Sequence, residues 1–350
     1  MAFVRRPTVA LAKNPVNTEE ICDDIIRHHP EHPQLPAILR VIENIHVQQR
    51  PFVRPLREVA QTQTFEERNT WAIDGLTELA ERAARQALHD AGLHPRDIGG
   101  LITSHATGLA IPGLDVRLVN RLGLRPTVDR VPMTQLACAG GAHALGLAAT
   151  LVKALPEKPV LVVCAEVPSS SVYQHTDTDL PSMIFKSLFG DAGTAAIVTS
   201  TPTGPGIRID DSWRYLLPDS ADYYKLQTSQ HGYHFRSTRD GFKAVPKIIP
   251  HLRAWLDGHT PGWEPHFAVA HPGGPAILED LTKELGAPEH LFRHSWASLQ
   301  QNGNLGGGAV LDVLARTHAD PPPDGAQGLM IGFGPGFATA ACRLTWVSTP

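Results

Sequence analysis

The sequence predicts an α/β protein built from two similar halves. Three observations predict it: strand-like and helix-like apolar patterns alternate along the chain, the second half repeats the order of the first, and 350 residues at 42% hydrophobic content allow two cores of ordinary size.

In TWAIDGLTELAERAARQALHDAGL, Leu76, Leu79, Ala80, Ala83, Ala87 and Leu88 recur at helical spacing and Gly92 ends the run. The apolar LITSHA that follows reads as a strand, LDVRLVNRLGL as a short helix, VDRVPMTQLA as a strand, AGGAHALGLAATLVKAL as an alanine-rich helix and KPVLVVCAEV as another strand. In the second half AVPKIIPHLRAWLDG is a helix, PHFAVAHPGG a buried strand ending in a turn, and PAILEDLTKELG a helix. NGNLGGGAVLDVLARTH opens a further helix on glycines, and QGLMIGFGPGF and ATAACRLTWV close the chain as strands. The halves divide near TSTPTGPGIRID, giving 1–203 and 204–350, and PPPDG is a surface turn.

Composition excludes several classes of function. A net charge of −4 with scattered basic residues leaves no electrostatic footprint for nucleic acid. MAFVRRPTVALAKN is not a secretory leader and no apolar run reads as a membrane span, so the expected location is cytoplasmic with no membrane partner. Cys22, Cys138, Cys164 and Cys342 lie far apart without a CxxC and are expected as free thiols. His28, His29 and His32 in RHHPEHP read as a surface turn, because two prolines break the spacing and no acidic pair completes a metal-ligand set. The stretch Thr176 to Asp179 reads as a polar loop, and His143 carries no assignment.

Cys138, in QLACAGGAHALG, sits where a strand-like run meets a helix start. The unpaired amides and positive dipole end of that helix favour thiolate over thiol, and the small residues Ala139 to Ala142 allow a ligand to approach. A small buried cysteine is the competing reading. His271 ends HFAVA ahead of PGG, and Asn304 precedes a glycine-opened helix. Cysteine, histidine and asparagine at the ends of separate elements can perform acyl chemistry, with histidine as base or donor and the amide as a second donor to a developing oxyanion. A core histidine and a left-handed turn residue are the alternatives for the latter two.

LAIPGLDVRL, SLFGDAGTAAIV, HPGGPAIL, NGNLGGGAVLDVL and GFGPGF, in that order along the chain, resemble blocks of the type III polyketide synthases, the chalcone synthase superfamily, with similarity running from NIHVQQR to the last strand. The resemblance is closest to bacterial members that make small pyrones or phenolics. It implies a thiolase fold, five αβαβα layers from two pseudo-duplicated halves, working as a homodimer. It also implies that Cys138 accepts an acyl group from a coenzyme A starter, paired with His271 as thiolate and imidazolium. His271 and Asn304 then hold the carbonyl of a malonyl-type extender as it decarboxylates, and no metal or redox cofactor takes part. By the same resemblance Phe189 and Phe235 stand between the coenzyme A tunnel and the cavity, Ile111 reaches into a neighbouring subunit's cavity, and Arg50 and Arg54 meet the coenzyme A phosphates. For Arg54 a solvated surface position competes. Against chalcone synthase, Gly306 and Gly307 replace two serines and remove bulk beside the reacting centre, while Leu226 stands for a cavity glycine and Ser171 for a threonine. A short or medium aliphatic starter is therefore expected. A single-condensation ketoacyl synthase III-like enzyme, an acyltransferase using the same cysteine, and a non-enzymatic scaffold are the alternatives.

Overall fold

Two apolar helices, Gly140–Ala154 and Ala309–Ala319, lie between the two halves of one mixed sheet in a computed structural model that describes residues 1–348. In the N-terminal half, Gly100–His105 runs parallel to both Asp129–Thr134 and Val160–Glu166, and Ala192–Thr199 pairs antiparallel with the latter. In the C-terminal half, Phe267–Ala270 runs parallel to Gln327–Gly334, which forms a hairpin with Ala338–Val347, itself antiparallel to Gly206–Leu216. The short strand Ala2–Val4 pairs with Ala192–Thr199 on one side and Gly206–Leu216 on the other, joining the halves into one sheet.

Burial explains the layering. Leu145, Ala148, Val310 and Leu314 of the central helices pack against Val162 and Val198 on one side and Met330 and Leu344 on the other. Outside the first half-sheet, the helix Phe65–Ala91 buries Leu76, Leu79 and Ala83 against Leu161 and Val163. Outside the second, the helices Ala244–His259, Pro275–Leu285 and Arg293–Asn302 bury Ile248, Leu252, Leu278 and Leu299 against Leu329 and Ile331. Helix, sheet, helix, sheet, helix is the resulting order.

The elements expected from periodicity are present, with shifted ends. The helix read as starting near Thr70 begins at Phe65, because Thr64 and Glu67 form a capping box; Gly92, at φ 65°, ends it. Ala137–Ala154 is in fact long and apolar enough to cross a membrane, contrary to the sequence reading, but more than half of it is buried between the two half-sheets, where a helix apolar all round belongs.

Candidate active site

Cys138 lies in a 3-10 turn, Ala137–Ala139, that runs directly into the helix Gly140–Ala154. The strand Asp129–Thr134 reaches it through Gln135 at φ 70° and Ala137 at φ 44°. Left-handed backbone at residues other than glycine costs about 1–3 kcal/mol each and persists only where surrounding packing imposes it. Gly334, from the GFGPG run, supplies that packing: a Cβ there would stand 2.5 Å from the Leu136 carbonyl and 2.9 Å from the Ala139 nitrogen. The turn is thereby held against the last hairpin with the cysteine half-buried.

Asn304 arrives from the other half. Its N–H donates to the Leu188 carbonyl at 2.8 Å, its carbonyl accepts from Gly190 at 3.0 Å, and a second 3-10 turn, Gly306–Gly308, leads into the helix Ala309–Ala319. The starts of the two central helices touch backbone to backbone, since a Cβ on Gly141 would lie 2.1 Å from the Gly307 carbonyl oxygen. These glycines therefore bring the two helix ends together; the ligand access expected of the Ala139–Ala142 run is not their role. Both amide atoms of Asn304 consequently lie 3.8 Å from Cys138 Sγ. The Gly306 N–H donates to Asn304 Oδ1 at 2.9 Å, which turns Nδ2 toward the sulfur and toward the Gly273 carbonyl, 3.4 Å away.

His271 ends the strand Phe267–Ala270 and is buried, its N–H donating to Ile331 O at 2.8 Å. Gly273 packs on its imidazole edge, where a Cβ would lie 3.1 Å from Nε2. Its Nδ1 is sealed from solvent with no hydrogen-bond partner among the described residues. The three residues singled out in the sequence thus gather around Gly273 and the crossed helix starts.

Burial dominates their electrostatics. Burial pushes the Cys138 thiol up to about 12, with the nearby Glu166 charge adding to the shift and the Asn304 hydrogen bond opposing it. Burial lowers His271 to about 3. The polar partner of the sulfur is Asn304, and with no opposite charge in contact to offset desolvation, burial disfavours the charged form of both groups.

Glu166 was missed in the sequence, where only a carboxylate closing the apolar run KPVLVVCAEV signalled it. It is buried, and burial raises it to about 7 although Oε2 accepts from Ala106 N, Thr107 N and Thr107 Oγ1. Its Oε1 has no partner among the described residues. Gly306, at φ 58°, faces it, and a Cβ would meet Glu166 Cγ at 2.7 Å. The space expected to open at Gly306 is therefore filled by the glutamate.

Phe189 pairs with Asn304 in a backbone bridge, and its ring meets Phe235 edge-on at 5.6 Å. Phe185, unassigned in the sequence, meets Phe235 at 4.7 Å, and Tyr224 stacks on Phe235 at 5.9 Å. Burial raises the Tyr224 phenol to about 12. Ser171 is buried with its Oγ donating to Val167 O, and Leu226 lies opposite Phe235 in its hairpin, still 41% exposed. Ile111 is 98% exposed.

Three expectations are corrected. Arg50 is fully buried and donates to Val16 O, Thr18 Oγ1 and Ser187 O, so its guanidinium cannot reach a coenzyme A phosphate; burial lowers it to about 10. Arg54 remains half-exposed, 4.3 Å above the Trp71 ring and 3.3 Å from Glu58. RHHPEHP is not a bare surface turn, because His28 and His29 meet His175 beside the buried Asp24. Nor is Thr176 to Asp179 only a polar loop: Asp177 is buried and pairs with His234 Nδ1 at 2.8 Å and Arg236 at 2.6 Å, on either side of Phe235.

Comparison with known proteins agrees with this geometry. Residues 48–202 match the model of the chalcone and stilbene synthase N-terminal domain, and residues 208–347 that of the C-terminal domain. The chain is 34% identical to a 1,3,6,8-tetrahydroxynaphthalene synthase of Streptomyces coelicolor over 99% of its own length and 92% of the relative's. The crystal structure of 1,3,6,8-tetrahydroxynaphthalene synthase from that species superposes with a TM-score of 0.95 at 33% identity, covering 99% of this chain and all of that one. Germicidin synthase, a type III polyketide synthase of the same species, superposes at 0.93 with 33% identity and 99% coverage of both chains. The five-layered arrangement is the thiolase fold of these enzymes, and the chain belongs to the chalcone and stilbene synthase family, the type III polyketide synthases.

Proposed function

We propose that this type III polyketide synthase carries its acyl chain on Cys138, with His271 as proton partner and Asn304 as donor to the extender carbonyl. The observation that carries the assignment is the convergence of Cys138 and Asn304 at two touching helix starts, with Gly273 joining Asn304 to the edge of His271. With both groups neutral at rest, the Cys138 proton passes to His271 as the sulfur attacks the starter thioester, and the departing coenzyme A thiolate takes that proton away. An extender thioester then places its carbonyl oxygen against Asn304 Nδ2 and the imidazole. Loss of carbon dioxide leaves the bond's electron pair on an enolate stabilised by those donors. The enolate carbon attacks the Cys138 thioester, forming the new carbon–carbon bond and releasing the thiolate. The elongated chain cyclises to a small pyrone or phenol. These steps use coenzyme A thioesters and no metal or redox cofactor.

Phe185, Phe189 and Phe235 close an apolar, water-excluding wall beside Asn304, which supports a short or medium aliphatic starter over a bulky aromatic one. The exposed Ile111 supports a homodimer in which its loop completes the partner's cavity. The two halves divide at 203 and 204, and the buried free thiols Cys164 and Cys342 fit a reducing cytoplasm.

Intact-protein mass spectrometry with malonyl-CoA and a panel of acyl-CoA starters, run beside Cys138→Ala, tests the assignment. Acylation at Cys138 with products heavier by two-carbon units supports it. Acylation without elongation would point to an acyltransferase, and absence of acylation in the folded protein would remove Cys138 as the nucleophile.

A further inference from the structure

Phe235 belongs to the aromatic wall, but the element that carries it stands apart from the rest of the fold. The strands Tyr224–Ser229 and Gly232–Ser237 form a two-stranded sheet of their own, and among the described residues neither pairs with the main sheet. A hairpin alone is marginally stable in water, and the first strand of this one is mostly exposed, so contacts from other elements must impose its place over the site. At the turn, Phe65 N donates to Gln230 O at 2.8 Å, and Tyr233 meets the Phe65 ring edge-on at 5.4 Å. Those contacts fix the end of the hairpin nearest the turn.

A different tie holds the stretch that bears Phe235. Successive side chains of a strand face opposite ways, so His234 and Arg236 share the face turned from Phe235. Both end on one carboxylate, in the loop between the helices Pro168–Val172 and Leu180–Leu188. Asp177 Oδ2 lies 2.8 Å from His234 Nδ1, and Asp177 Oδ1 accepts from Arg236 at 2.6 Å. The tie is buried, with 8% of the Asp177 side chain and 12% of the His234 side chain exposed. Ser229 Oγ lies 2.6 Å from His234 Nε2, so the imidazole can donate from Nδ1 to the carboxylate while accepting from the hydroxyl. Gln174, from the same loop, donates to Tyr233 O at 2.6 Å. On its other side the Asp177 carbonyl accepts from the buried Lys186 ammonium at 2.9 Å, on the helix Leu180–Leu188 that also carries Phe185. Asp177 thus joins, through its carboxylate and its carbonyl, the two elements whose rings, Phe185 and Phe235, meet edge-on at 4.7 Å.

We propose that Asp177 is a positioning residue for chain extension: its carboxylate seats Phe235 against Phe185 and Phe189 and so keeps water from the acyl chain. The role rests on Cys138 carrying that chain. Where the wall opens, water competes with the extender. Its oxygen attacks the thioester carbonyl, the carbon–sulfur bond breaks, one proton of the water passes to the sulfur, and free acid leaves in place of an extended chain. A passive surface pair would not put two side chains flanking Phe235 on one buried carboxylate, whose loss leaves both without their acceptor.

The test compares the parent with Asp177→Asn, which is nearly isosteric and removes the charge. Each is given an acyl-CoA starter and malonyl-CoA, and free acid and extended product are measured by mass spectrometry after subtracting the Cys138→Ala background. The ratio of the two belongs to the acyl-enzyme, so a smaller folded fraction does not move it. Free acid per extended product is expected to rise on the order of tenfold, since misplacement remote from the chemistry can cost about 10²-fold. Amide hydrogen exchange across 224–237 is expected to quicken while the helix Gly140–Ala154 keeps the parent's rate. Arg236→Gln, at a position 38% exposed, is the second variant and should move the ratio the same way by less. An unchanged ratio in both variants, or exchange that quickens alike in the hairpin and the central helix, would overturn the proposal. A parent that never loads Cys138 would strike the acyl-carrier reading and this role with it, whereas failure confined to the variants strikes this role alone.

Discussion

Both amide atoms of Asn304 stand 3.8 Å from Cys138 Sγ, and because the oxygen also accepts the Gly306 N–H, the NH2 group is held as a donor beside the sulfur before any substrate arrives. A donor fixed in this way costs no reorganisation when charge develops beside it.

Replacing Asn304 by Ala is expected to lower carbon dioxide release from malonyl-CoA on the order of 10²–10³-fold, the usual effect of removing one oxyanion donor. Acylation of Cys138 should fall far less, because that step relies on the sulfur and the imidazole. Comparing carbon dioxide release with intact-protein mass in the same variant measures both. Equal losses in the two steps would show that Asn304 merely holds the turn.

Arg50→Gln separates a structural arginine from a phosphate-binding one. The buried guanidinium donates to two carbonyls and a hydroxyl, and hydrogen bonds to a charged group are worth about 1.5–3 kcal/mol each. The variant is expected to unfold at a clearly lower temperature while the KM for acyl-CoA in the folded fraction stays unchanged. A raised KM with unaltered stability would restore the phosphate role.

The division between what the sequence revealed and what it hid follows from the reach of local patterns. Cys138, His271 and Asn304 were legible because each interrupts or closes an apolar or glycine-rich run that must be an element end. Glu166 was not: a carboxylate at a strand end looks solvated until the loop Ala106–Thr107 is known to fold over it. Arg50 looked like a surface cation because its carbonyl partners lie 34 and 137 residues away. His175 and Asp24 meet across 151 residues, beyond any spacing rule. The strained backbone at Gln135 and Ala137 had no signature either, since neither residue type announces a left-handed conformation.

Gly141→Ala tests whether the touching helix starts position the chemistry. Its Cβ would lie 2.1 Å from the Gly307 carbonyl oxygen and 2.6 Å from Val310 Cγ2, overpacking that costs about 1–3 kcal/mol. Both acylation and decarboxylation are expected to fall with the unfolding temperature. Gly258→Ala is the control: it lies in the helix Ala244–His259 with open space around its Cβ position, and should stabilise by up to about 1 kcal/mol without altering activity.

The Glu166 carboxyl makes stability depend on pH. Its folded value of about 7 lies above the ordinary 4.5, so its contribution is fully present below pH 4.5 and is lost as pH rises through 7. Glu166→Gln keeps an acceptor for the Ala106 and Thr107 donors and removes the buried charge. The variant is expected to exceed the parent by on the order of 3 kcal/mol at pH 8 and to match it below pH 5. Thermal unfolding at pH 4.5, 6.5 and 8 measures the gap, and a gap that does not widen with pH would place the carboxylate in a better-solvated setting.

Starter length is the property most directly written in the aromatic wall. Phe185 lies 4.7 Å from Phe235 and 5.9 Å from Phe189, and with them it lines the pocket beside Pro168 and Val172, so its removal enlarges that space. Phe185→Ala is expected to raise kcat/KM for long straight-chain acyl-CoA starters relative to short ones on the order of tenfold, since pocket discrimination by methylene fit is worth about 1–3 kcal/mol. Cys138 acylation by the shortest starter should persist, because the polar partner of the sulfur is Asn304. Competition assays with mixed starters, read by product mass, check the ratio. If the preference stays fixed while total activity falls, Phe185 supports the wall without setting the length of the chain it admits.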